Sequence, residues 1–122
     1  MADLHESLVR SFRRKVIKGG LQETKSPMPT FKPDIFAERK SLSGFVLEQI
    51  AVEAEIKSTL FNEHTSHQLL KLDEFIQLQR AKRIRVKAYL LIPRGTEVRS
   101  HARALLDGLF PDGTSIKVIE AV

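Results

Sequence analysis

Near the middle of the chain stand three side chains whose types and spacing suit one kind of chemistry: Asp34, preceded by Pro33, and Glu55 with Lys57 two places beyond it. Two carboxylates and an ammonium converging on one spot are what phosphodiester hydrolysis needs. Oxygen ligands hold Mg2+, the metal neutralises charge on phosphorus and lowers the pKa of a bound water, and a nearby cation orients that water. Asp34 and Glu55 are the candidate metal ligands, with the Ile56 backbone carbonyl as a further oxygen, and Lys57 is the candidate to orient or deprotonate the water. A free lysine, with a pKa of about 10.4, is a poor base at neutral pH. The role therefore requires the metal's charge to lower it. The chain has no cysteine, which leaves oxygen and imidazole donors and favours hard cations.

For these groups to meet, they must lie on neighbouring strands. Phe31 to Glu38 reads as one strand, Arg39 to Gly44 as a polar turn and Phe45 to Ser58 as a longer strand, together a β-hairpin. Propensity alone would permit a helix over Phe45 to Lys57. Alternation decides against it, because Ile50, Val52, Ala54 and Ile56 share one face at period two and would scatter around a helix. The same alternation sets Glu55 and Lys57 on one side, roughly 6.5–7 Å apart. Glu53 shares that side, as an additional ligand, a solvated neighbour or the mark of a different register.

Further elements surround the hairpin. Leu4, Leu8, Phe12 and Val16 recur at steps of four, which predicts a first helix over residues 3–18, opened by a capping box of Asp3 and Glu6 and stopped by Gly19-Gly20. Leu21 to Thr30 is an edge strand or a connection, broken by Pro27 and Pro29. A second helix is expected over Ser66 to Lys82, with Thr65 or Ser66 as N-cap, Leu69, Leu72, Ile76 and Gln79 on one side, and Leu70 and Phe75 widening it. Arg83 to Pro93 turns continuously apolar from Ala88 to Ile92, the mark of a strand in the buried centre of a sheet. A third helix over Glu97 to Leu109, capped by Thr96, and a last strand over Ser115 to Ala121 complete an α/β chain.

At Pro33-Asp34 and Glu55-Ile56-Lys57 the sequence resembles the PD-(D/E)xK nuclease superfamily, whose core order is αβββαβ; the likeness spans about residues 4–93. The resemblance implies a restriction-endonuclease-like fold, here with an extra C-terminal helix and strand. It also implies Mg2+ (with Mn2+ as substitute), hydrolysis of DNA by internal cuts, and a homodimer like that of compact members such as junction resolvases. In many members the helix after the ExK strand offers a polar residue to the site, and Gln68 fits; some add an acid from the first helix, a part open to Glu6.

The 122 residues suit one domain, and 20 Lys and Arg against 15 Asp and Glu give a net charge of +5 that favours a polyanionic partner. Arg10, Arg13, Arg14 and Lys18 on the first helix, and Arg83 and Arg85 before the buried strand, are the candidate DNA-backbone contacts. Aromatic residues make up only 7%, so single-strand binding by a stacking platform is not indicated. No apolar run is long enough to span a bilayer and no secretory signal opens the chain, so a cytoplasmic location is expected. The rival reading is a non-catalytic basic module that binds nucleic acid or protein.

Overall fold

A computed structural model describes residues 4–121, arranged as α1 (Leu4–Lys18), β1 (Gln22–Glu23), β2 (Ile35–Lys40), β3 (Val46–Ala54), α2 (Glu63–Ala81), β4 (Arg85–Ile92), α3 (Thr96–Leu109) and β5 (Lys117–Glu120). The five strands form one mixed sheet in chain order, antiparallel from β1 to β3 and parallel from β3 to β5. Parallel neighbours need a crossover, and α2 and α3 provide it. The result is an α/β domain with helices on both faces of the sheet, and no described helix is long and apolar enough to cross a membrane.

Two apolar clusters lie on opposite sides of the sheet. On one side Leu8, Val9 and Val16 of α1 pack with Ile35, Ile50 and Val52 of the sheet. Beneath α2 and α3 lie Leu69, Leu72, Phe75 and Ile76 with Phe36 and Leu90, where the Phe75 ring meets those of Phe31 and Phe36 at 5.1 and 5.6 Å between centroids. Each such side chain stabilises the fold by about 1.5–3 kcal/mol on full burial. Both faces of the sheet are covered, and the last six residues of β3 are all buried. Alternation in β3 therefore separates two cores rather than core from solvent.

The hairpin forms as its sequence predicts, with Ile35 opposite Val52 and Phe36 opposite Ala51. Ser41 and Gly44 close its tip: the Ser41 hydroxyl accepts from the Phe45 amide, and Gly44 takes a φ of 89° that other residues resist. Several boundaries differ from the sequence reading. Residues 31–34 precede β2 rather than belong to it, because Phe31 donates to the Met28 carbonyl in a turn and Pro33 has no amide to give to a ladder. Leu21 to Thr30 contributes the two-residue edge strand β1 followed by loop. Helix α2 starts at Glu63 with Asn62 at the N-cap, because Thr65 spends its hydroxyl on the Thr59 carbonyl. Gly95, not Thr96, is the N-cap of α3. Leu70 is exposed rather than on the apolar side of α2. Asp3, the expected capping partner of Glu6, lies outside the described residues.

The long second strand also ends early. The β3 ladder stops at Ala54, and Lys57 to Phe61 form a turn in which the Ile56 carbonyl accepts from the Thr59 and Leu60 amides and the Thr59 hydroxyl accepts from the Ile56 amide. A threonine that can satisfy the chain locally offers an alternative to continued pairing. Period-two alternation therefore does not reach Lys57.

Candidate active site

At the end of the sheet where β2 begins and β3 ends, a cavity of about 300 Å3 is lined by three acids, Asp34, Glu53 and Glu55. Asp34 enters from the residue before β2, and its Oδ2 accepts from the Ala54 amide at 2.8 Å, so the aspartate finishes the ladder that the strands leave open. Its Oδ1 lies 3.4 Å from His5 Nε2 of α1. Glu53 stands on the same side of β3 as Ala51, beneath α2, and is 4% exposed. Glu55 follows two positions later and its Oε2 accepts from the Thr59 hydroxyl. Asn62, His64, Thr65 and Gln68 bring the first turns of α2 to the opposite wall.

The electrostatics of this cluster are strained. Burial, then the charges of Asp34 and Glu55, push the Glu53 carboxyl up to about 9, and a hydrogen bond from the Asp34 amide offsets only part of this. Burial also raises Glu55, opposed by hydroxyls of Thr59 and Thr65; Asp34 adds to the rise and His5 reduces it. Acids pushed up by burial and by one another form a site in want of positive charge. Gln68 adds a second unmet demand, since its Oε1 is buried without a hydrogen-bond partner and its side chain lines the cavity.

Of the sequence-predicted residues, Asp34, Glu55 and Gln68 meet here, while Lys57 and the Ile56 carbonyl do not. Lys57 projects from the turn after β3, its side chain 56% exposed, and pairs with Glu97 of α3 at 2.7 Å. The Ile56 oxygen is taken up by that turn. The carboxylate that sequence reasoning left undecided, Glu53, is central, so the site reads Asp34 with Glu53-Ala54-Glu55, and a second glutamate stands where Lys57 was expected to act. The one lysine that lines the cavity, among the described residues, is the exposed Lys32, two residues before Asp34. From α1 it is His5 that reaches Asp34; Glu6 lines an adjoining cavity with Arg10 and Arg13, which shares His5 and Asp34 with the acidic one.

The basic residues divide accordingly. Arg10 and Arg13 line the adjoining cavity with Asp34, although Arg13 also pairs with Glu23 at 2.9 Å. Lys18 ends α1, roughly 20 Å along the helix from His5 at about 1.5 Å per residue, and Arg14 is exposed on the same helix. Arg85 pairs with Glu48 in the sheet register, whereas Leu90 pairs with Glu53. That puts Arg85 and its neighbour Arg83 roughly 17 Å from the acids along the strands at about 3.3 Å per residue, so they lie at the far end of the sheet.

The donors suit a hard divalent cation, being carboxylate and amide oxygens with a deficit of positive charge around them. They are not preassembled: among the described residues no three His, Asp or Glu side chains stand as a ready ligand group, since Asp34 and Glu55 spend oxygens on the Ala54 amide and the Thr59 hydroxyl. Comparisons with family models, curated proteins and solved structures gave no match.

The pairing of Lys57 with Glu97 at the surface yields a direct expectation. If the acidic cavity cuts DNA, Lys57→Ala is expected to change cleavage and metal binding less than about threefold, because Glu97 holds this ammonium at the surface and outside the cavity. Lys32→Ala is expected to lower the cleavage rate by about tenfold or more. Initial rates on one labelled DNA, with Mn2+ held constant, compare the two; a loss confined to Lys57→Ala would restore the Glu55-Ile56-Lys57 site.

Proposed function

We propose that the acidic cavity is the active centre of a metal-dependent deoxyribonuclease, in which Asp34, Glu53 and Glu55 hold Mg2+ or Mn2+ and Lys32 and Gln68 complete the site. The observation that carries this reading is the convergence of three acids, one pushed up to about 9, in a cavity at the end of β3. When bound, the cation would neutralise charge at the scissile phosphate and lower the pKa of a water. The chain's own residues do the positioning. The Ala54 amide and His5 fix the two oxygens of Asp34. Thr59 orients Glu55. Lys32 offers an ammonium to the phosphate or the water, and Gln68 an acceptor for the water's second proton.

The element order supports a restriction-endonuclease-like core: α1, β1, β2, β3, α2 and β4 reproduce αβββαβ, with α3 and β5 as the C-terminal addition. In PD-(D/E)xK terms the motif becomes Asp34 with Glu53-Ala54-Glu55, so it departs from the family at the lysine. Arg10 and Arg13 in the cavity that adjoins Asp34, together with the net charge of +5, favour backbone contacts to DNA over base reading. Dimerisation is part of the proposal, because cutting both strands of a duplex calls for two such centres.

The test offers plasmid, branched and single-stranded DNA to the purified protein with Mg2+ or Mn2+, alongside calorimetric titration of Mn2+. Cleavage and metal binding that both vanish in Asp34→Ala are expected. Intact DNA and no metal binding would sink the proposal. The displaced lysine favours one rival, a non-catalytic module of the same fold, which would bind DNA in a salt-dependent way without cutting it.

A further inference from the structure

Next to the acidic cavity a larger cleft of about 470 Å3 opens under the loop between β1 and β2. The two share Lys32 and Asp34, so a group held over the acids has the cleft on one flank. One wall is apolar, formed by Met28, Pro29, Phe31 and Phe36, and the polar side carries Glu23, Thr24, Lys25 and Ser26. Phe31 and Phe36 are anchored in the core against Phe75, which makes that wall rigid, whereas the thioether of Met28 adapts to irregular flat groups. A cleft of this size with one apolar wall is typical of a small-molecule site, and here Lys25 and Lys32 set positive charge for phosphates beside the acids Glu23 and Asp34.

We propose that this cleft is a nucleobase subsite, so that the preferred substrate of the acidic centre is a DNA strand with an unstacked base beside the scissile phosphate. The proposal rests on the reading of that centre as phosphodiester-cleaving and specifies its substrate class. A base within continuous duplex is stacked and paired and would have to be extruded at a cost of a few kcal/mol, whereas a base in a single strand, flap or mismatch is already free. An apolar cleft that takes the free base therefore converts the unstacking cost into selectivity.

Two measurements test it. In the first, the protein without divalent metal is titrated with labelled single strands that carry one abasic position, moved stepwise along the oligonucleotide, and with the matching duplex. One abasic position is expected to weaken binding about tenfold while the others do not. Thr24→Trp and Pro29→Trp, which project a ring into the cleft from exposed loop positions, are expected to remove that dependence without altering the circular dichroism spectrum. In the second, cleavage with Mn2+ is expected to run about tenfold faster on single-stranded or mismatched DNA than on the duplex. Equal rates on both, with binding indifferent to every abasic position, overturn the subsite and leave the cleavage reading standing. Position-dependent binding with no cleavage of any substrate supports the subsite and overturns the cleavage reading. Should the tryptophan variants misfold, the abasic series on the unaltered protein decides alone.

Discussion

Asp34→Ala is expected to lower DNA cleavage about 10³-fold, and Glu53→Gln or Glu55→Gln by a similar amount. A metal centre contributes several kcal/mol to the transition state, and about 1.4 kcal/mol corresponds to each tenfold in rate. The losses should not add: a double Asp34→Ala, Glu53→Gln variant is expected to be no slower than either single one, because residues that serve one ion fail as a unit. Asp34 has a structural duty too, since it accepts the Ala54 amide, and a buried donor left unmatched costs about 1–3 kcal/mol. Asp34→Asn, which keeps an acceptor oxygen, separates the two duties: it should restore thermal stability without restoring cleavage. Single-turnover rates with Mn2+, read beside melting temperatures, check this. An Asp34→Ala protein that cuts within tenfold of the unaltered one would remove the acids from the chemistry.

The second large effect concerns stability and pH. Burial, with Asp34 and Glu55 nearby, lifts Glu53 from its ordinary 4.5 to about 9. Between those values the folded chain holds a proton that the unfolded chain has released. The native state therefore binds more protons, and stability falls as pH rises through this window. Below about 4.5 both states are protonated and above about 9 neither is, so this contribution levels off at each end. Glu55, also raised by burial, acts in the same direction. Glu53→Gln removes the proton dependence and keeps the volume. Its melting temperature is expected to match that of the unaltered protein near pH 5 and to exceed it by several degrees or more at pH 8.5, since each kcal/mol is worth about 3–6 °C in a domain of this size. Thermal melts of both proteins from pH 5 to 9 show the divergence, and parallel curves would refute it. A variant more stable yet inactive would follow the usual opposition between a strained site and a relaxed fold.

Much of this site is legible in the sequence, and its gaps have physical causes. The hairpin, Asp34 and Glu55 follow from alternation and order, and Gln68 from the likeness to the PD-(D/E)xK pattern. Lys57 misleads because nothing in the local pattern marks Ala54 as the last paired residue; the turn is stabilised by Thr59 and Thr65, and the latter lies in the next helix. The place of Glu53 depends on register, which is set by Ile35 opposite Val52. Since both sides of β3 are buried, hydrophobicity does not choose between registers. His5 was discoverable. A stripe of Leu4, Leu8, Phe12 and Val16 drifts about 40° per step around a helix of 3.6 residues per turn, and Leu4 indeed ends up exposed. His5, Val9, Phe12 and Val16, at steps of four, three and four, hold to one side, and the sheet-facing cluster contains the last three. Lys32 carries no signal of its own, because the loop that brings it to the cavity wall has no periodicity to read.

The bond between Asp34 and Ala54 has a consequence for observing the protein at work. Most amides in a central strand answer only to the neighbouring strand, but this one answers to a side chain. Its chemical shift and its rate of deuterium uptake therefore follow whatever that carboxylate is doing, whether ionised, drawn toward a cation or absent. The fold has thus placed a backbone probe beside the acidic cavity, readable by nuclear magnetic resonance without any label on the acids themselves.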